Sequence, residues 1–259
     1  MALVIWWNWL FLWCQSRAIL RPNPAAGTGM EAFARTPKTK IRRLPKRAVY
    51  ERERIHAVLD AGLVCHVGYV IDGQPYVTPT SYWREGDMLY WHGSSASRML
   101  RHLKQGVPVC LTVTHLDGLV LARAGFHHSI NYRAVMAFGT ARLVEDGDIK
   151  LKVLETFVDR LFPGRWQELR PPTAQELKAT TVLWMPIEEV SAKIRSGGPI
   201  DDEEDYGWPC WAGVLPIHTS VGEPEPDARL LAGMKQPRYL REWSHIGWRS
   251  ADEDKLAAD

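Results

Sequence analysis

The chain has 259 residues, 46% of them hydrophobic and 24% charged, with a formal net charge of +2. That length suits one substantial core with appendages, and the composition is ordinary for a soluble globular protein. So small a net charge assigns no nucleic-acid or membrane partner; only its distribution, positive near the start, is informative.

Ala2 to Cys14 is almost wholly apolar but too short to span a bilayer as a helix, which needs about 20 residues. No basic residue precedes it, so it makes a poor signal peptide. Residues 17–29 read as disordered linker, and Met30 opens a more normal sequence. Translation is expected to begin at Met30, with residues 1–29 an artefact of gene-start assignment. The alternative is a short interfacial membrane anchor. Gly27-Thr28-Gly29-Met30-Glu31-Ala32 matches a dinucleotide fingerprint, but no strand precedes it and it is discarded.

Residues 30–50 form a basic arm. From Arg35 to Arg54 nine basic residues face two acids, Glu51 and Glu53. No recognition motif follows, so the arm is read as solvated, lying over the domain or helping to hold an anion, rather than as a nucleic-acid arm. Tyr50 to Ala61 reads as a helix with Ile55, Val58 and Leu59 inward and Gly62 as its stop.

Leu63 to Ile71 is apolar enough for a central strand. Asp72-Gly73 signals a two-residue hairpin into a second strand, Gln74 to Trp83. Along it Val77, Pro79, Ser81 and Trp83 point one way, and Thr78, Thr80 and Tyr82 the other. Met88 to His92 returns. A loop of small hydroxyl residues, Gly93 to Ala96, then enters a basic helix at Ser97-Arg98. Such a loop offers free backbone N–H groups, and Arg98 adds a planar fork of donors, a combination suited to a phosphate monoester. The hydroxyls of the neighbouring strand suit a polar, planar ring.

Val107 to Leu116, a hairpin at Asp117-Gly118, and Leu119 to Ala124 follow as strands. Ile130 to Val144 reads as one long strand with a bulge or bend at Gly139. Asp148 to Phe162 is a helix with Leu151, Leu154, Phe157, Val158 and Leu161 inward. Thr173 and Glu176 stand at capping-box spacing before a short helix. Thr181 to Met185 and Ser191 to Arg195 return to strand. Six or seven strands joined mostly by hairpins imply a mainly β fold, an antiparallel barrel with peripheral helices, and not a doubly wound parallel sheet. The barrel domain is expected over 51–217. Within it Trp208 to Ile217 is an apolar stretch that docks on the barrel or on a partner subunit. Residues 218–259 form a peripheral tail rich in proline and charge.

The four cysteines, Cys14, Cys65, Cys110 and Cys210, form no C-x-x-C pair. Cys65 and Cys110 lie in apolar strands as reduced thiols, which points to a reducing, cytoplasmic compartment. Gly93-Ser94-Ser95-Ala96-Ser97 approaches a nucleophile elbow but ends in serine, and the strand order does not suit a hydrolase. His127-His128 offers ligands for a metal or haem iron, yet no carboxylate or cysteine stands at ligand spacing, and a turn between strands is the preferred reading. No metal site is expected.

The segments PYVTPTSYWREGDMLYWHGSSASRMLRHL, VCLTVTHLDGLVLARAGFHHSINYRAVMAFGTARLVED and SAKIRSGGPIDDEEDYGWPCWAGVLPI resemble the pyridoxamine 5′-phosphate oxidase-like family, in its flavin-nucleotide-binding branch that includes nitroimidazole-resistance proteins. The resemblance implies a six-stranded split β-barrel, a homodimer, and FMN at the subunit interface. By the same resemblance Ser97-Arg98 holds the flavin phosphate. Met99 stands where a lysine often follows. Val77, Thr78, Pro79, Thr80 and Ser81 match the strand along the isoalloxazine. His92, Gly93 and Ser94 match the loop over the ribityl-phosphate, and Asn131, Tyr132 and Arg133 match the strand facing the partner's cofactor. The Arg-x-His-type element of the true pyridoxamine phosphate oxidases has no counterpart; Trp243-Ser244-His245 and Arg249 stand in another context. Pyridoxamine phosphate is therefore not the expected substrate. The expected function is an FMN-dependent oxidoreductase acting on a small molecule. The alternatives are a flavin-storage protein, or haem or a deazaflavin in the same groove. No catalytic side chain is nominated, because a flavin carries its own redox chemistry.

Overall fold

A computed structural model of the chain describes residues 31–245. The expectations for residues 1–29 and for Arg249 fall outside the described residues. Of the two units into which the chain divides, Met1–Glu31 and Ala32–Asp259, the second holds the sheet and both apolar cores.

The strands are β1 (Ala48–Val49), β2 (Val64–Ile71), β3 (Gln74–Glu85), β4 (Met88–Ser94), β5 (Pro108–Leu121), β6 (Ser129–Thr140), β7 (Arg142–Leu143), β8 (Thr180–Pro186), β9 (Glu189–Arg195) and β10 (Gly213–Pro216). The helices are α1 (Arg52–Asp60), α2 (Arg98–Leu103), α3 (Gly147–Leu161), α4 (Ala174–Ala179) and α5 (Arg238–His245). No helix among the described residues is long and apolar enough to cross a membrane.

Among the described residues every strand pairing is antiparallel, in the order β1-β9-β6-β5-β2-β3-β4-β8-β7, with β10 added to β5. The path must curl. In a flat strip β9 and β8 would stand roughly 30 Å apart at ordinary strand spacing. Only Ile187 and Glu188 join them, and so short a link reaches about 10 Å. The strip therefore closes on itself into a split barrel. Glu188 N donates to Phe138 O across the closure at 3.1 Å. Gly139 lies at this seam, and a Cβ there would collide with the Pro186 carbonyl. Close approach, rather than a bulge, is what keeps this position glycine, since Gly139 pairs in regular register with Val109.

Ten strands form, where hairpin counting implied six or seven. The extra ones are mostly β1, β7 and β10, two to four residues each, too short to show an alternation. A second correction concerns Asp117-Gly118. It is not a hairpin: β5 runs unbroken through it, with a register shift against β6 between Leu116 and Gly118. Arg133 on β6 takes both oxygens of Asp117, at 2.9 and 3.0 Å. A side chain that would have capped a turn is thereby held across the ladder. The Asp72-Gly73 hairpin does form, with φ of +50° and +78° at its two central residues.

Two cores result. The larger fills the barrel with Cys65, Val67, Leu89, Trp91, Leu111, Val135, Leu183 and Val190, sealed by Ile55, Val58 and Leu59 of α1 and by Met99, Leu100 and Leu103 of α2. The smaller lies on the outer face of the sheet under α3, where Trp83, Tyr90, Val144, Val153 and Val182 pack with Leu154 and Phe157. Val153, which helical spacing alone did not single out, is the buried centre of α3. Asp146 caps α3 through the amides of Asp148 and Ile149, and Thr173 and Glu176 form the full capping box of α4.

Candidate functional site

The polar strand β3 lies between β2 and β4. Val77 and Pro79 are exposed on one face; Tyr76, Thr78 and Thr80 are half-buried on the other. Thr78 Oγ1 lies 3.0 Å from the Tyr69 hydroxyl, and Tyr69 stacks on Tyr76 with ring centroids 5.6 Å apart. The Arg98 guanidinium sits over the Tyr76 ring, 4.4 Å from its centroid. Among the described residues Arg98 makes no ion pair. It is a cation stabilised by an aromatic face, with its planar donors still available. Ser97 is the N-cap of α2, its hydroxyl accepting from Leu100 N. The Ser94–Ser97 loop is tightened by Ser97 N donating to Ser94 O at 2.9 Å and Ala96 N to Ser94 Oγ at 3.2 Å.

The structure thus gathers Thr78, Ser94, Ser97 and Arg98 at one end of the β3–β4 pair. It adds Tyr69 and Tyr76, which sequence reasoning missed. Their signal was the inward alternation on both strands of the Asp72-Gly73 hairpin, Tyr69 standing opposite Tyr76 in register.

Other expected residues go elsewhere. His92 and Gly93 point to opposite faces of β4. Gly93 leaves room for Leu100 of α2. His92 packs beneath α3, its ring 4.8 Å from Phe157 and 6.0 Å from Trp83. Its Nδ1 is buried without a hydrogen-bond partner, and burial pushes its pKa down, so the ring is neutral.

Asn131, Tyr132 and Arg133 lie on β6, separated from β3 by β5 and β2. Asn131 is buried, donating to Gly197 O at 3.1 Å and accepting from Arg195. Arg195 also donates to the carbonyls of Gly197 and Gly198. Arg133 is committed to Asp117, and Tyr132 pairs with Arg195 across the ladder. Within one chain these three tie the segment after β9 to the sheet.

No cluster of three or more histidine, cysteine or carboxylate ligands exists among the described residues. Burial pushes the Cys65 thiol up to about 12, which removes it as a nucleophile. Among the described residues the site's own side chains offer no nucleophile–base pair.

One face of the sheet is left uncovered. Val64 and Val70 of β2, Val77 of β3 and Met136 of β6 are large apolar side chains exposed together. His66, between Val64 and Val70, shares that face.

The chain is 46% identical to the flavocytochrome Anf3 from Azotobacter vinelandii, with a TM-score of 0.77, over 80% of this chain and 97% of that one. It is 37% identical to the FAD and haem binding protein from Mycobacterium smegmatis, with a TM-score of 0.75, over 79% of this chain and all of that one. A search of curated proteins returns no match. The family described as pyridoxamine 5′-phosphate oxidase matches residues 51–194, more than half of the sequence. By that match, and by the antiparallel split barrel that carries it, the chain belongs to the pyridoxamine 5′-phosphate oxidase family.

Proposed function

We propose that this chain is a redox protein that binds a flavin nucleotide and a haem and passes electrons between them. The observation that carries the reading is near-full-length likeness to two proteins, one named a flavocytochrome and the other an FAD and haem binding protein. The site is compatible with the flavin half. Arg98 is a cation without an ion pair among the described residues, seated on Tyr76 beside a hydroxyl-bearing strand.

In this reading Ser97 and Arg98 hold the phosphate next to the ribityl chain, which FMN and FAD share. Thr78 and Thr80 line the ring with donors and acceptors. FMN satisfies these contacts; FAD adds an adenylate that needs further room. When bound, the flavin supplies one- and two-electron transfer and the haem one-electron transfer. The protein's own part is to neutralise the phosphate, fix the ring and exclude water. A second copy of the chain covers the Val64, Val70, Val77 and Met136 face, giving a homodimer. Reduction of a small molecule at the exposed flavin is one use of such a site. Pyridoxamine phosphate is not the substrate we propose.

The absorption spectrum of the freshly purified protein tests this. Flavin bands together with a Soret band are expected, and chromatography of the released cofactor distinguishes FMN, FAD and a deazaflavin. Colourless protein that takes up neither flavin nor hemin on reconstitution refutes the reading. Arg98→Ala is expected to weaken flavin binding by about 1.5–3 kcal/mol, the range for a hydrogen bond to a charged group. An unchanged dissociation constant in calorimetry removes Arg98 from the phosphate site.

A further inference from the structure

A histidine that ligates haem iron must present an unprotonated nitrogen to open space. Its other nitrogen is usually held by a carbonyl or carboxylate, which fixes tautomer and orientation. Most of the described histidines fail one condition. His92 lies under α3. His56, held by Asp87, and His102 and His115, held by the carbonyls of Val70 and Val58, have one nitrogen oriented but are half-buried, so the ring is not presented to open space. His127 has both nitrogens engaged, Nδ1 at 2.6 Å from Ile200 O and Nε2 at 3.5 Å from Asp202. His66 is open but has no hydrogen bond to orient it.

His128 meets both conditions. Its Nδ1 lies 3.1 Å from Ala124 O. A carbonyl only accepts, so Nδ1 carries the proton and the neutral ring leaves a lone pair on Nε2. Among the described residues Nε2 has no partner, and the residue is exposed.

The surroundings suit a flat apolar ring. Phe126, two residues earlier in the same turn, is fully exposed at 103%. The segment after β9 returns to this turn and is clamped there. Asp201 accepts from the backbone amides of Arg123 and Ala124 and from the Arg123 guanidinium. Arg123 lies over the Tyr206 ring, and Cys210 Sγ is 4.0 Å from Arg123 O. That clamp brings in Ile200, Trp208 and Trp211, which are 72%, 66% and 68% exposed. Large apolar side chains left this open around one rigid turn mark a binding surface.

Resting on the proposed flavin-and-haem reading, we infer that His128 Nε2 would ligate the haem iron, with Phe126, Ile200, Trp208 and Trp211 as the apolar wall. This places the haem at the β5–β6 turn, on a different element from the Ser97-Arg98 flavin site.

The test uses the full chain, titrated separately with hemin and with FAD. The wild type is expected to gain a Soret band with hemin. His128→Ala is expected to bind hemin at least roughly tenfold more weakly, since loss of a ligand should cost no less than loss of a second-shell contact. It should keep wild-type FAD affinity and recover the Soret position when free imidazole is added. His66→Ala and His127→Gln should bind hemin as the wild type does. A His128→Ala protein with unchanged hemin affinity and spectrum overturns this inference alone, as does loss of the band in His66→Ala instead. A wild-type protein that binds FAD but no hemin overturns both this inference and the haem half of the proposed function.

Discussion

Strand β2 meets two different surroundings. On one face Cys65, Val67 and Tyr69 are at most 6% exposed, inside a closed barrel. On the other, Val64 and Val70 are each 51% exposed, and Val77 on the neighbouring strand reaches 67%. Valines stand on both faces; only their surroundings differ. Apolar side chains inside the barrel stabilise the fold, at about 25 cal/mol for each Å² removed from water. The same chemistry outside adds nothing to the folded monomer and becomes binding energy when something covers it. Burial and exposure thus alternate along the same strands.

Mutations sharpen that contrast. Leu111, fully buried, should cost about 2–5 kcal/mol as Leu111→Ala, read by urea unfolding. A loss well under 1 kcal/mol would mean the barrel interior is not the stabilising core. Gly139→Ala should follow at about 1–3 kcal/mol, because its methyl group meets the Pro186 carbonyl at the seam and backbone must shift. An unchanged midpoint would show that the seam is loose. Val77→Asp should change the stability of the monomer by no more than about 0.5 kcal/mol, as an exposed site does, yet shift the native mass from dimer to monomer. If the dimer survives, the open face of β2 and β3 is not the interface.

The smallest effect concerns acid. Burial alone would raise the Asp60 carboxyl, but hydrogen bonds from Arg84 and Arg160 outweigh it and hold the group below its ordinary 3.8. A lowered folded pKa contributes stability above the unfolded value and loses it as pH falls through the folded one. Asp60→Asn should therefore flatten the fall in stability below about pH 4 while the neutral-pH value drops slightly. Acid limbs of equal slope in the two proteins would show that the Arg84–Asp60–Arg160 cluster contributes nothing.

The parts of the fold legible in the sequence were those fixed by local chemistry. Asp72-Gly73 forms its hairpin because both central residues need positive φ. Thr173 and Glu176 cap a helix because four residues suffice to do so. Asp117-Gly118 carries a similar signal and forms no turn, since its outcome is decided by Arg133, sixteen residues on. The candidate site divides the same way. Ser97 at a helix start follows from its neighbours. That Arg98 lies over Tyr76, and that Ala124 orients His128, depends on how distant strands and loops meet. In the sequence His127-His128 reads as a turn between strands, with haem an alternative in the flavin groove. A porphyrin needs only one imidazole at the right tautomer, and the carbonyl that sets it is legible only in three dimensions.

The junction of β8 and β9 has a mechanical consequence. Cutting the backbone between Ile187 and Glu188 would release the fastening that makes a cylinder of the strip. Both strands would keep their ladders to β4 and β6, so secondary structure would survive while the interior opened to water. Such a nicked protein would expose fresh strand margins and gather into fibres or clumps sooner than it unravelled.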